Sequence, residues 1–387
     1  MIKSGCTLVR PIVDKACFRR CWEMLLLLCC YSATFGADPT VFWVDGSEPT
    51  SMDERRIVPA SYRNVRIDLA TFSLELTTVP HETNVSLHES EYKITIPLPD
   101  GTDQEFRIVE TPVMAPELAA KFPSIKTYAG QGVDDPTATL RFDVTPQGFH
   151  GSVISERGAY YIDPYSPKDL RHYISYWKTE YEKNNVPVFQ ELPPIRRDAS
   201  VDSKFDDVIR RKEATKEVLR KRDIVAQKTS SGTELRTYRL ALAVTGEYTT
   251  FHGGTVAGAV AAMNTTVNRI NGVYEREVAI RMVLVADNDL LVYTNAAEDP
   301  YTNDDGGTLL SENQTNIDAV IGAANYDIGH IFSTAGGGVA VLGSVCRGDK
   351  AHGVTGRSAP IGDPFDIDFV AHEMGHQFGA NHTFNNS

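Results

Sequence analysis

At 387 residues the chain exceeds one ordinary domain and suits two or three. Hydrophobic residues make up 42% and charged ones 23%, enough apolar side chains for packed cores. The formal net charge of −13 excludes a general attraction for nucleic-acid phosphates or for anionic lipid.

Taken from the N-terminus, the first feature is a crowd of cysteines. Cys6, Cys17, Cys21, Cys29 and Cys30 all precede residue 31, and only Cys346 lies beyond them. They surround RRCWEMLLLLCCYSATFGADP, a basic flank followed by a short apolar run and then small residues. The run is too short to span a bilayer and suits the apolar core of a secretory signal over residues 1–37. Cleavage near Gly36 or Ala37 would export the chain without its five early cysteines and leave no stable membrane insertion. The alternative is a tethered or unprocessed N-terminus.

Residues 38–187 read as a β-rich region. YKITIPLPDG alternates apolar and polar residues and runs into Asp100-Gly101, a strong turn pair, with FRIVE as the return strand. ATLRFDVTPQGFHGSVI repeats the pattern about Pro146–Gly148. Its histidines, His81, His88, His150 and His172, are scattered and suggest no catalytic group.

Residues 188–232 carry charges of both signs, with basic clusters at Arg196-Arg197, Arg210–Lys212 and Arg220–Arg222. Two readings stand: a solvated connector, or a site where a processing protease cuts, as at Arg220–Arg222.

The region 233–387 opens with a strand, TYRLALAVTGEY, ending at Gly246. A helix follows, with Val256, Val260, Met263, Val267 and Ile270 on one stripe. VAIRMVLV, from Val278, reads as a strand, LSENQTNIDAVIGAA as a helix, and YDIGHIF as a third strand. Alternation of this kind implies a mixed sheet covered by helices. The acidic stretch Asp287–Asp305 could hold Ca2+ but lacks EF-hand spacing, and a solvated loop is the other reading. Asn84, Asn264, Asn313 and Asn381 begin glycosylation sequons.

The chemistry is concentrated in HEMGHQFGANH, residues 372–382. Asp363 or Asp366, with Pro364 between them, marks a helix start. Residues four apart share a helix face, so His372 and His376 can reach one metal ion. Val370, Met374 and Phe378 fall on the opposite face, and Gly375 suggests close packing. Gly379 can take the left-handed conformation that ends a helix and turns the chain back, bringing His382 in as a third ligand. Three protein ligands leave the fourth zinc position to water, the pattern of a catalytic site, with Glu373 placed to take that water's proton.

The same residues match the metzincin signature H-E-x-x-H-x-x-G-x-x-H, and GVAVLGSVC resembles the edge strand of reprolysin (adamalysin-like) metalloproteases. The resemblance implies an α+β fold: a zincin-like mixed sheet with helices, preceded by a β-rich prodomain. It also implies a Zn2+-dependent endopeptidase made as a zymogen, acting on protein or peptide substrates. Water activated by zinc would be the nucleophile, with Glu373 as general base. The implied substrate rail is Gly338, Val339, Ala340, Val341, Leu342 and Gly343. Three departures stand out. Thr383 occupies the position where reprolysins usually have aspartate. No cysteine lies between Ala37 and Gly343 to block the metal. The methionine turn expected beneath the metal is missing before Ser387, so the domain reads as truncated and Cys346 as lacking a partner further on. A non-catalytic zinc-binding or inhibitory fragment is the rival reading.

Overall fold

The YKITIPLPDG hairpin forms as its alternation requires. In this computed structural model, β3 (Lys93–Pro97) pairs antiparallel with β4 (Asp103–Glu110), and Gly101 takes the turn at φ +90°. The residues described are 42–49, 54–167, 169–184, 191–195 and 234–382; the N-terminal signal and the basic clusters lie outside them.

The hairpin belongs to a nine-stranded sheet with the order β1-β2-β9-β8-β7-β6-β5-β4-β3. Its other strands are β1 (Trp43–Asp45), β2 (Arg63–Ile67), β5 (Lys126–Gly132), β6 (Thr139–Thr145), β7 (Gly148–Ser155), β8 (Gly158–Pro164) and β9 (His172–Trp177). Every neighbouring pair is antiparallel. An aromatic core lines the sheet, in which Phe149 lies 5.0 Å from Trp43 and 5.4 Å from Phe142, ring centre to ring centre. Edge-to-face and offset contacts of this kind add to the burial of the rings themselves.

The second sheet has five strands in the order β11-β10-β12-β14-β13. β10 (Arg236–Val244), β11 (Ile280–Leu284), β12 (Ile328–Ser333) and β14 (Gly353–Gly356) run parallel, and β13 (Gly338–Ala340) closes one edge antiparallel to β14. Helix α2 (Gly306–Val320) is capped by Asp305, which accepts from the Thr308 amide.

Helix α1 (Val256–Val278) lies between the two sheets, which explains a pattern that periodicity alone does not. Val260, Met263, Val267 and Ile270 pack into the core of the five-stranded sheet. Its polar residues are buried too: Asn268 donates to the Phe142 carbonyl of β6 (2.9 Å), and Arg269 lies between two carboxylates. The helix ends later than expected. Val278 is its last residue rather than the first of a strand; Ala279 turns the chain at φ +54°, and β11 begins at Ile280. The apolar run VAIRMVLV hides this boundary because both elements bury apolar side chains.

The described residues belong to one compact unit. Among the described residues no helix is long and apolar enough to cross a membrane. Asn264 and Asn313 are fully buried and donate to the Val260 and Ala351 carbonyls, so the folded protein presents neither for glycosylation; Asn84 is exposed.

Candidate metal centre

The metal-site helix is assembled in three pieces. Residues Asp363–Phe365 form a first turn, Asp366–Ala371 a π-helical stretch, and His372–Gln377, α3, a regular α-helix. The expected side-chain cap is absent. Gly362 precedes the helix at φ +75°, and neither Asp363 nor Asp366 bonds its backbone. Both carboxylates are buried and have cations instead: Lys178 lies 2.8 Å from Asp363, and Arg269 lies 3.0 Å from Asp366 and 2.6 Å from Asp163 of β8. A buried carboxylate gains more from a charged partner than from an amide that helix turns or water can satisfy. Lys178 also reaches Asp368 at 2.5 Å. Ion pairs thus hold the start of the helix, through Lys178 just after β9 and through Arg269 of α1, which is itself paired with Asp163 of β8. Pi-helical turns are frequent at functional sites, and this one delivers His372.

Met374 and Val370 are fully buried in the core and Phe378 packs against it, as the helix face requires. Gly375 is a different matter. A β-carbon there would meet Tyr274 Oη at 3.5 Å and Ala380 at 4.0 Å, ordinary contact distances, so close packing does not demand glycine. At Gly379 the backbone does. It adopts φ +101° and completes a Schellman turn, its amide donating to the His376 carbonyl (2.9 Å) and that of Ala380 to Gly375 (2.9 Å). The turn brings His382 over the helix.

His372 Nε2 lies 3.0 Å from His376 Nε2 and 3.1 Å from His382 Nε2. Tetrahedral zinc with bonds of about 2.0–2.1 Å to nitrogen sets its ligand atoms about 3.3 Å apart, so this donor set fits the metal closely. His376 Nδ1 donates to the Ala380 carbonyl, 2.7 Å away. Because a carbonyl can only accept, Nδ1 carries the proton and Nε2 keeps its lone pair for a metal.

Glu373 is fully buried and neither carboxylate oxygen has a hydrogen-bond partner. Burial, and then the charge of Glu191, push its carboxyl up to about 9. An unsatisfied buried carboxylate is costly, which marks the group as held for use rather than for stability.

The residues expected to form a substrate rail border this group. A β-carbon at Gly338 would fall 2.2 Å from Glu373 Oε1 and 2.2 Å from Phe369 Cε2, so only glycine lets β13 pass the Glu373 carboxyl so closely. Val339, Ala340 and Val341 are buried, Leu342 is half-buried, and Gly343, at φ +69°, donates to the His376 carbonyl (2.9 Å). Beneath the helix, Gln377 meets His330 Nδ1 at 2.8 Å, and His330 Nε2 meets Thr355 Oγ1 at 2.8 Å. Burial pushes His330 down to about 4 and keeps it neutral.

One member of the cluster was not foreseen. Glu191 places Oε1 3.2 Å from His372 Nε2, 3.2 Å from His376 Nε2 and 2.7 Å from His382 Nε2. These four donor atoms lie within 4.8 Å of one another. Residues 191–195 lie along β13 rather than in solvent. Leu192 and Ile195 donate to the Gly338 and Ala340 carbonyls (2.9 and 3.0 Å), and Leu342 donates to the Ile195 carbonyl (3.1 Å). Glu191 is one acid among many in a charged stretch. Its only sequence signal is the Leu-Pro-Pro-Ile run that follows, extended and apolar.

No second cluster of this kind occurs among the described residues. The carboxylates of Asp287–Asp305 bind the protein's own donors: Asp287 and Asp289 hold Lys121, Asp299 accepts the Gly246 amide, and Asp305 caps α2. Cys346 is exposed and free.

Residues 234–387 match the profile described as metallopeptidase family M12B, reprolysin-like. Among solved structures the chain is similar to metalloproteinase-II from Bacteroides fragilis, at 13% identity and a TM-score of 0.42, over 80% of this chain and 87% of that one. No curated protein matches it. The signature histidines converge inside the matched segment, so over residues 234–387 the chain is similar to the reprolysin-like metallopeptidases of family M12B.

Proposed function

We propose that this protein is a secreted zinc-dependent endopeptidase, made as an inactive precursor and matured by cleavage at the basic clusters between Arg196 and Arg222. Its ligands are His372, His376 and His382, and its substrates are proteins or peptides held in extended form. The observation that carries the reading is Glu373: a buried carboxylate with no partner, beside three convergent imidazoles and the carbonyl edge of β13. A purely structural metal site has no use for such a group.

When bound, zinc supplies Lewis acidity, polarising the scissile carbonyl and making water acidic near neutral pH. The chain's own residues do the rest. The Gly338 and Ala340 carbonyls and the Leu342 amide offer the hydrogen bonds that align an added strand. The positive charge of a bound zinc beside Glu373 would offset the burial that raises its carboxyl in the metal-free site, and as a carboxylate Glu373 would take the proton from the attacking water and pass it to the nitrogen of the departing amine.

Metal analysis of the purified chain should find one zinc, lost when His372, His376 and His382 are all replaced by alanine. Zinc retained by that triple variant would refute the ligand assignment. In the processed protein, Glu373→Gln should keep the metal but lose about 10²–10⁴-fold in peptidase rate, because an amide cannot take the proton.

A further inference from the structure

A catalytic zinc site keeps one position open, and an edge strand that receives substrate keeps its outer hydrogen-bonding groups free. In this protein one segment of the same chain takes both. The Glu191 oxygen stands at the fourth vertex of the imidazole cluster, 2.7–3.2 Å from the three nitrogens. The next residues satisfy the Gly338 and Ala340 carbonyls and the Leu342 amide.

We propose, building on the zinc-peptidase reading, that Glu191–Ile195 is an internal blocking segment in which the Glu191 carboxylate is the fourth metal ligand of the precursor and Leu192–Ile195 fill the substrate rail. Three features fit a blocker better than a substrate. A side-chain carboxylate, not a peptide carbonyl, faces the imidazoles, so no scissile bond is presented. Pro193 and Pro194 have no amide hydrogen, leaving Leu192 and Ile195 as the two donors to the rail. The segment runs parallel to β13, with Glu191 beside Gly338 and Ile195 beside Val341. The side chains of Leu192 and Ile195 remain largely exposed, at 47% and 45%. Little apolar burial holds them, so the segment is anchored mainly by its amides and by the carboxylate. Such an anchor is strong while both ends of the chain are tethered and weak once the chain behind it is cut. The device also does without a cysteine, of which residues 38–345 have none.

The test uses the full chain with Co2+ in place of zinc, and compares it with Glu191→Ala. The visible absorption of the wild type should be unmoved by acetohydroxamate, because the fourth position is filled. The variant should show an altered spectrum that shifts again on adding the hydroxamate. In a parallel measurement with zinc, a colorimetric chelator should strip the variant at least tenfold faster. Leu192→Pro, which removes one rail donor without touching the metal, should speed stripping in the same direction. Identical spectra, hydroxamate responses and stripping rates in wild type and Glu191→Ala would overturn the blocking segment while leaving the zinc site intact. Failure of the wild type to bind one metal ion would instead overturn the reading on which it rests.

Discussion

Replacing Arg269 by methionine should destabilise the protein by several kcal/mol and do so more at pH 8 than at pH 5. The guanidinium is 3% exposed and bridges Asp163 at 2.6 Å and Asp366 at 3.0 Å. Asp163 also accepts from Tyr176 (2.8 Å) and Asp366 from Thr266 (2.6 Å). Methionine fills the space of the stem but leaves two buried carboxylates without a cation. Removing one partner of a buried ion pair costs about 3–5 kcal/mol. At roughly 2 °C per kcal/mol for a chain of this size, the thermal midpoint should fall by about 6–10 °C. The pH dependence follows from Asp366, whose carboxyl is pushed by burial from 3.8 up to about 6 even beside Arg269. A pKa raised in the folded state favours folding when the group is protonated; that contribution is full below the unfolded value and is lost as pH rises through the folded one. Without Arg269 the carboxyl should protonate more readily still, so at pH 5 part of the penalty is relieved. Thermal unfolding of both proteins at the two pH values measures it. A shift below about 1 °C at pH 8, or a greater loss at pH 5, would show that the pair is not the clamp described.

Two further outcomes are expected. Gly379→Ala forces an L-residue to φ +101°, at a cost of roughly 1–2 kcal/mol, and should loosen His382 enough to weaken zinc about tenfold in a chelator competition; an unchanged affinity would detach the turn from the metal site. In metal-free protein, His330 is held by burial at about 4, so its contribution is present above pH 6.5 and lost as pH falls through 4, up to about 3 kcal/mol. His330→Asn should therefore lose less stability than wild type between those values, and equal slopes would remove His330 from the account.

Much of the site was legible along the chain because the interactions that build it are local. The four-residue spacing of His372 and His376 is a property of any α-helix, and Gly379 ends that helix through hydrogen bonds within five residues. Strands such as β3 and β4 announce themselves by alternation and by the turn between them. Local signals also mislead where two elements bury similar faces. VAIRMVLV looks like one strand, yet its first residue closes α1.

What only the tertiary structure decided depends on groups far apart in sequence. Asp363 and Asp366 have the composition of helix caps, but Lys178 and Arg269 recruit them as ion-pair partners across the boundary between the sheets. Buried Asn268 and Arg269 of α1 make sense only once the nine-stranded sheet covers that side. Glu191, 181 residues before His372, has no local pattern to distinguish it from its acidic neighbours. Charge and spacing along the chain identify groups able to bind a metal; which carboxylate completes the cluster is set by the path of the backbone through space, and here that path runs along β13.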